Sequence, residues 1–80
     1  MQSSDIFNKI LIEIKKVAGN EDLILEQDTI LEAIPDWDSL NNVDLEMALE
    51  ETFKVSFEVG EFEELKTVSL MRQALENKLN

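Results

Sequence analysis

Apolar residues recur at helical spacing in three stretches of this 80-residue chain. Ile6, Phe7, Ile10, Leu11, Ile14, Val17 and Ala18 predict a first helix over 4–18, with Ser3 or Ser4 placed as N-cap and Gly19-Asn20 as the stop. A second periodic stretch, 39–53, starts after Pro35-Asp36-Trp37-Asp38 and runs to Phe53. The third, 68–79, gathers Val68, Met71, Ala74, Leu75 and Leu79 on one face, with Thr67 or Ser69 as its cap. Glu61-Phe62-Glu63-Glu64-Leu65 has the length of a single short helical turn. Segment 19–37 exceeds the roughly 12–15 residues of an ordinary connection. Its Leu23, Ile24, Leu25, Ile30, Leu31, Ile34 and Trp37 suit a packed loop rather than disorder. The expected fold is all-α, a small four-helix bundle of three main helices plus a short one. A long loop joins the first and second, in a single domain over 1–80.

The second stretch is apolar on two sides. At about 100° per residue, Leu45, Leu49 and Phe53 fall together, while Leu40, Val43 and Met47 fall on nearly the opposite side. One stripe must pack inward. The other, flanked by Asp44, Glu46, Glu50 and Glu51, is expected to reach solvent and to serve recognition, the apolar anchors giving burial and the carboxylates steering. The alternative is a helix buried on both sides.

Composition narrows the chemistry. Leu, Ile, Val and Phe make up 27 of 80 residues, enough for a core despite the charge. There is no His and no Cys, which excludes Ser-His and Cys-His nucleophile pairs, thiolate or imidazole metal sites, and disulfides. No apolar run has the length of a membrane span, and Met1-Gln2-Ser3-Ser4-Asp5 lacks the basic start of a signal peptide. The expectation is a soluble, cytoplasmic protein without enzymatic activity. Carboxylate pairs such as Asp36/Asp38 fit acid–base work in principle, but so small a chain offers little concave volume for a substrate.

Eighteen acids against seven bases give a net charge of −11. All of the excess lies between Lys16 and Lys54, where eleven acids occur and no base. So complete a confinement suits docking to a basic protein partner and disfavours nucleic acid and anionic membranes. An EF-hand counted from Asp36 fails, because its sixth position is Asn41 rather than Gly and its twelfth is Met47 rather than Glu. No metal site is expected, beyond loose divalent-ion binding to the acidic face.

Asp38-Ser39-Leu40 stands where the long loop meets the second helix. Alone it is an ordinary helix start. In the context Asp38-Ser39-Leu40-Asn41-Asn42-Val43-Asp44-Leu45-Glu46-Met47-Ala48-Leu49-Glu50-Glu51-Thr52-Phe53, it resembles the central helix of acyl carrier proteins. The amphipathic first helix, the long loop, Asp28-Thr29-Ile30, the short acidic turn and the Thr67-Val68 helix start extend the likeness over most of the chain. The resemblance implies a 4′-phosphopantetheine arm on Ser39, derived from coenzyme A and installed by a phosphopantetheinyl transferase, with acyl groups held as thioesters. Such a monomer is not an enzyme but hands cargo to basic-surfaced acyl-transfer or synthase enzymes. A phosphate there would also meet free backbone N–H groups and the positive end of the helix dipole.

By the same resemblance Asp38 is a helix cap and transferase contact. Leu40, Val43 and Met47 are apolar docking positions, and Asp44, Glu50 and Glu51 are docking acids. Glu46 falls where many relatives place an apolar residue. Phe57, Phe62 and Leu65 match positions lining an acyl pocket. Several residues depart from the pattern. Pro35-Asp36-Trp37 replaces small residues, the loop is one residue longer, and Glu58 stands where Pro is usual. Trp37 is more typical of carriers in specialised polyketide, peptide or saccharide-modifying pathways than of primary fatty-acid synthesis. Phe62, where a small residue is usual, would narrow a pocket and favour cargo that is short, polar or left exposed. An aminoacyl or peptidyl carrier, and an unmodified acidic interaction module in which Ser39 only caps the helix, remain the rival readings.

Overall fold

The computed structural model describes residues 2–79, apart from the side chain of Ser3. Helices form where the apolar period puts them: α1 (Ser3–Ala18), α2 (Ser39–Phe53) and α3 (Val68–Leu79). Their inward faces repeat every three or four residues, as Ile6, Ile10 and Ile14 on α1, Leu45, Leu49 and Phe53 on α2, and Val68, Met71 and Leu75 on α3. All nine side chains are buried in one core. None of the three helices is long and apolar enough to cross a membrane.

The ends follow local chemistry. α1 begins one residue earlier than expected, with Gln2 in the cap position and no side-chain cap bond. Ser4 is therefore helical rather than a cap, and the Ser3 side chain lies outside the described residues. Gly19, at φ 68°, closes α1 by donating to the Lys16 carbonyl, while Asn20 N–H reaches the Lys15 carbonyl. α2 ends in the same motif with Lys54 in the left-handed conformation and Val55 N–H on the Glu50 carbonyl. Of the two caps expected for α3, Thr67 serves, its Oγ1 accepting from Leu70 N–H at 3.2 Å.

The short fourth element is smaller than a helix. Phe62–Glu64 forms a single 3₁₀ turn with two i→i+3 bonds, entered from Gly60 at φ 83° and stopped at Leu65, which leaves helical geometry. A second 3₁₀ turn, Leu31–Ala33, lies inside the long loop. The described residues contain three α-helices, two 3₁₀ turns and no strand.

Backbone bonds join the two connecting segments. An isolated antiparallel bridge pairs Ile30 with Thr67: Leu31 N–H donates to the Lys66 carbonyl and Val68 N–H to that of Thr29. Ser69 N–H adds a 2.7 Å bond to Gln27. Val68 and Ser69 open α3, so the loop's carbonyls satisfy donors that a helix start leaves without intrahelical partners. Leu31 and Ile34 from the loop, with Phe57 and Phe62 from the second connection, complete the core. α1 packs against both α2 and α3, whereas α2 and α3 touch little.

The two stripes of α2 are fully separated. Leu45 and Leu49 have no exposure, while Leu40, Val43 and Met47 are 67%, 50% and 61% exposed. Leu49→Ala is expected to cost about 2–5 kcal/mol, and Met47→Ala within about 0.5 kcal/mol. Urea denaturation of the two variants beside the wild type checks the difference.

Candidate functional site

The entry to α2 is built residue by residue from the loop. Pro35 and Asp36 form the middle of a turn closed by Trp37 N–H on the Ile34 carbonyl at 3.1 Å. Asp36 at φ 65° takes the left-handed position that a type II turn requires, and Pro35 precedes it where φ is pre-set. Asp38 follows in extended conformation as N-cap. Its Oδ1 accepts from Asn41 N–H at 2.9 Å, and Asn41 Oδ1 accepts from Asp38 N–H at 3.0 Å.

This box decides the place of Ser39. The cap is Asp38, so the serine is the first helical residue and its hydroxyl does no capping. It is exposed and has no hydrogen-bond partner among the described residues. The Ser39 and Leu40 N–H groups precede the first intrahelical bond, and the first turn carries no acidic side chain. The Asp38 carboxylate meets the positive end of the helix at the Asn41 N–H, and the Ser39 and Leu40 N–H groups remain without intrahelical acceptors.

A surface cleft of about 320 Å³ adjoins the hydroxyl. Leu31, Trp37, Phe62 and Leu65 give it apolar walls, and Asn42 and Lys66 line it together with Ser39. Glu32, Asp38 and Glu63 complete the lining. Lys66 Nζ meets Glu32 Oε1 at 3.2 Å with both side chains largely in solvent, a pair worth about 0–1 kcal/mol. The Trp37 indole N–H is buried without a partner among the described residues. Phe62 and Leu65, expected at the pocket, line this cleft. Phe57 does not, and instead backs Phe62 edge-on at 5.1 Å, under the Lys78 ammonium at 5.1 Å. Asn42, Lys66, Leu31 and Glu32 were not singled out by sequence. Lys66 reaches the cleft only through the Leu31–Lys66 backbone bond, which leaves no trace in periodicity.

The acids of α2 divide into two groups. Asp44 and Glu51 are exposed beside Leu40, Val43 and Met47. Glu46 and Glu50 are half-buried against the segment carrying Phe57 to Glu63. Glu50 Oε2 accepts the Phe57 N–H at 2.8 Å, so this carboxylate holds the chain after α2 and is already engaged. Burial, then the neighbouring charges of Glu50, Glu63 and Glu61, raise Glu46 above the ordinary 4.5. Glu61 is lowered by the Glu58 N–H it accepts at 2.9 Å and by the Lys78 ammonium at 3.0 Å.

No three His, Cys, Asp or Glu among the described residues are grouped to hold a metal ion. Neither a scan against protein-family models nor a search of curated proteins finds a match for the chain.

The two shifted carboxylates carry opposite pH signatures. With its folded pKa raised, Glu46 binds its proton more tightly in the native state, so stability falls as pH rises through that pKa. Glu46→Gln should therefore raise the urea midpoint at neutral pH, with the gain vanishing in acid below 4.5. Glu61 contributes stability above the ordinary 4.5 that is lost as pH falls through its lower folded value. Glu61→Gln should lower the midpoint at neutral pH and change nothing in strong acid. Midpoints at pH 7 and pH 3 test both signs. Asp38→Ala, which removes the cap, should cost about 0.5–2 kcal/mol.

Proposed function

We propose that this chain is an acyl carrier whose Ser39 bears a 4′-phosphopantetheine arm and whose α2 face docks basic partner enzymes. The observation that carries the reading is Ser39: an exposed, unpartnered hydroxyl in the first turn of a helix, opening onto a cleft. The residues suit the group. A phosphodiester on Ser39 would meet the Ser39 and Leu40 N–H groups, with Lys66 the cation of the adjoining cleft. Attachment forms a bond from Ser39 Oγ to the pantetheine phosphorus of coenzyme A as its bridging P–O bond breaks. Adenosine bisphosphate leaves, and the serine proton passes to a base of the transferase. The arm then supplies the thiol that a chain without Cys lacks.

In this reading the three helices and the Phe62–Glu64 turn correspond to the family's four-element bundle, with residues 19–38 as its long first loop. Leu40, Val43 and Met47 with Asp44 and Glu51 form the docking face. Burying a side chain of this size is worth about 1.5–3 kcal/mol. A small domain that leaves three of them side by side in solvent forgoes much of its stability margin. Recognition accounts for that. Glu50 belongs to the fold as much as to the face, because its carboxylate is committed to Phe57. The carrier works as a cytoplasmic monomer, handing acyl groups between enzymes in a specialised pathway. Asp38 rather than Ser39 caps α2, so a capping role does not account for the serine; an unmodified acidic interaction module is the rival reading.

Incubation with coenzyme A and a broad-range phosphopantetheinyl transferase, followed by intact mass, tests the reading. One added arm on the wild type and none on Ser39→Ala is expected. No addition to either would leave an acidic interaction module. Asp44→Lys with Glu51→Lys should slow arm transfer at low salt by about tenfold or more, with the difference shrinking as salt rises.

A further inference from the structure

Resting on the docking role proposed for the outer face of α2, we infer that Met47 is a site of reversible oxidation by hydroperoxides and that its sulfoxide weakens docking there. Accessibility is the first argument. Of the three methionines, Met1 lies outside the described residues, Met71 is fully buried in the core, and Met47 is 61% exposed. The chain has no Cys to take up the oxidant first, and exposure governs which sulfur is oxidised.

The surroundings are the second. One helical turn from Met47 stand Val43, Asp44, Glu50 and Glu51. An uncharged peroxide approaches these carboxylates unopposed, whereas an anionic oxidant meets their field. The Met47 sulfur attacks one peroxide oxygen, and an S–O bond forms as the O–O bond breaks. Sulfur loses two electrons to the peroxide, and the proton of the transferred oxygen leaves with the departing oxygen as water or an alcohol. A thiol-dependent sulfoxide reductase reverses the change, two thiols becoming a disulfide while the oxygen departs as water.

The third argument is that fold and face respond differently. Leu45, Leu49 and Phe53 hold α2 to the core from its other side, so a polar group at position 47 leaves the packing intact. On the outer face the sulfoxide sets a strong acceptor beside Val43, where a docked partner excludes water. The adjoining carboxylates are themselves acceptors and have no proton to give it. Oxidation therefore removes one apolar anchor of the face without unfolding the chain.

The test uses the chain before arm attachment, so that no thiol competes for oxidant. Hydrogen peroxide is applied and removed with catalase, and the protein is digested for peptide mass. One added oxygen on Met47 and none on Met71 is expected, with the urea midpoint unchanged. Arm transfer by the broad-range transferase should then slow by about fivefold or more. Sulfoxide reductase should restore both mass and rate. Met47→Leu, apolar but without sulfur, should keep its rate through the same treatment. Oxidation of Met71 as fast as Met47, a lowered urea midpoint, or an oxidised Met47 with arm transfer unchanged would overturn the inference while leaving the carrier reading intact. An untreated wild type that takes no arm would remove both.

Discussion

The short ladder between residues 27–31 and 66–69 is the constraint on which the rest of the molecule depends. A helix start presents N–H groups that need acceptors, and the first donors of α3 find theirs on the carbonyls of Thr29 and Gln27. Leu31 returns a bond to Lys66. One set of contacts thereby fixes the origin of α3, the course of a long loop, and the two walls between which the cleft lies. Leu31 and Glu32 stand on one side, and Leu65 and Lys66 on the other, because the backbones are joined between them. The Asp38–Asn41 box then sets Ser39 at the mouth.

α2 divides two demands by face. Leu45, Leu49 and Phe53 hold the helix to the core, and this frees the far side to carry Leu40, Val43 and Met47 in solvent among carboxylates. Glu50 crosses that division. It lies in an acidic run, yet its Oε2 ties the backbone at Phe57 and so positions the ring behind Phe62. The acidic side of α2 and the back of the cleft are thus joined through one carboxylate.

Much of this was legible in the sequence, and what was not has a common cause. The 3.6-residue period placed all three helices to within a residue and separated the two stripes of α2, because local spacing determines which side chains share a face. Ser39 and Asp38 stood out through their position at a helix start, although which of them caps was decided only by the hydrogen bonds of Asn41. The Ile30–Thr67 bridge, the Leu31 turn and the place of Lys66 arise from backbone pairing between residues nearly forty apart, which imposes no pattern on side chains. The acidic fourth element read as a helical turn because its composition suits one. Gly60 and Leu65 allow only a 3₁₀ turn, and the burial of Phe62 anchors it.

The ladder also gives the cleft a thermodynamic partner. Its walls exist only while the end of the long loop and the start of α3 are joined, so any excursion that frees α3 dissolves the cleft as well. Linkage makes this reciprocal: whatever fills the cleft in the native state, and is lost on opening, tightens α3 onto the core by the free energy of its own binding. Occupancy beside Ser39 is felt at the far end of the chain without any conformational change in between.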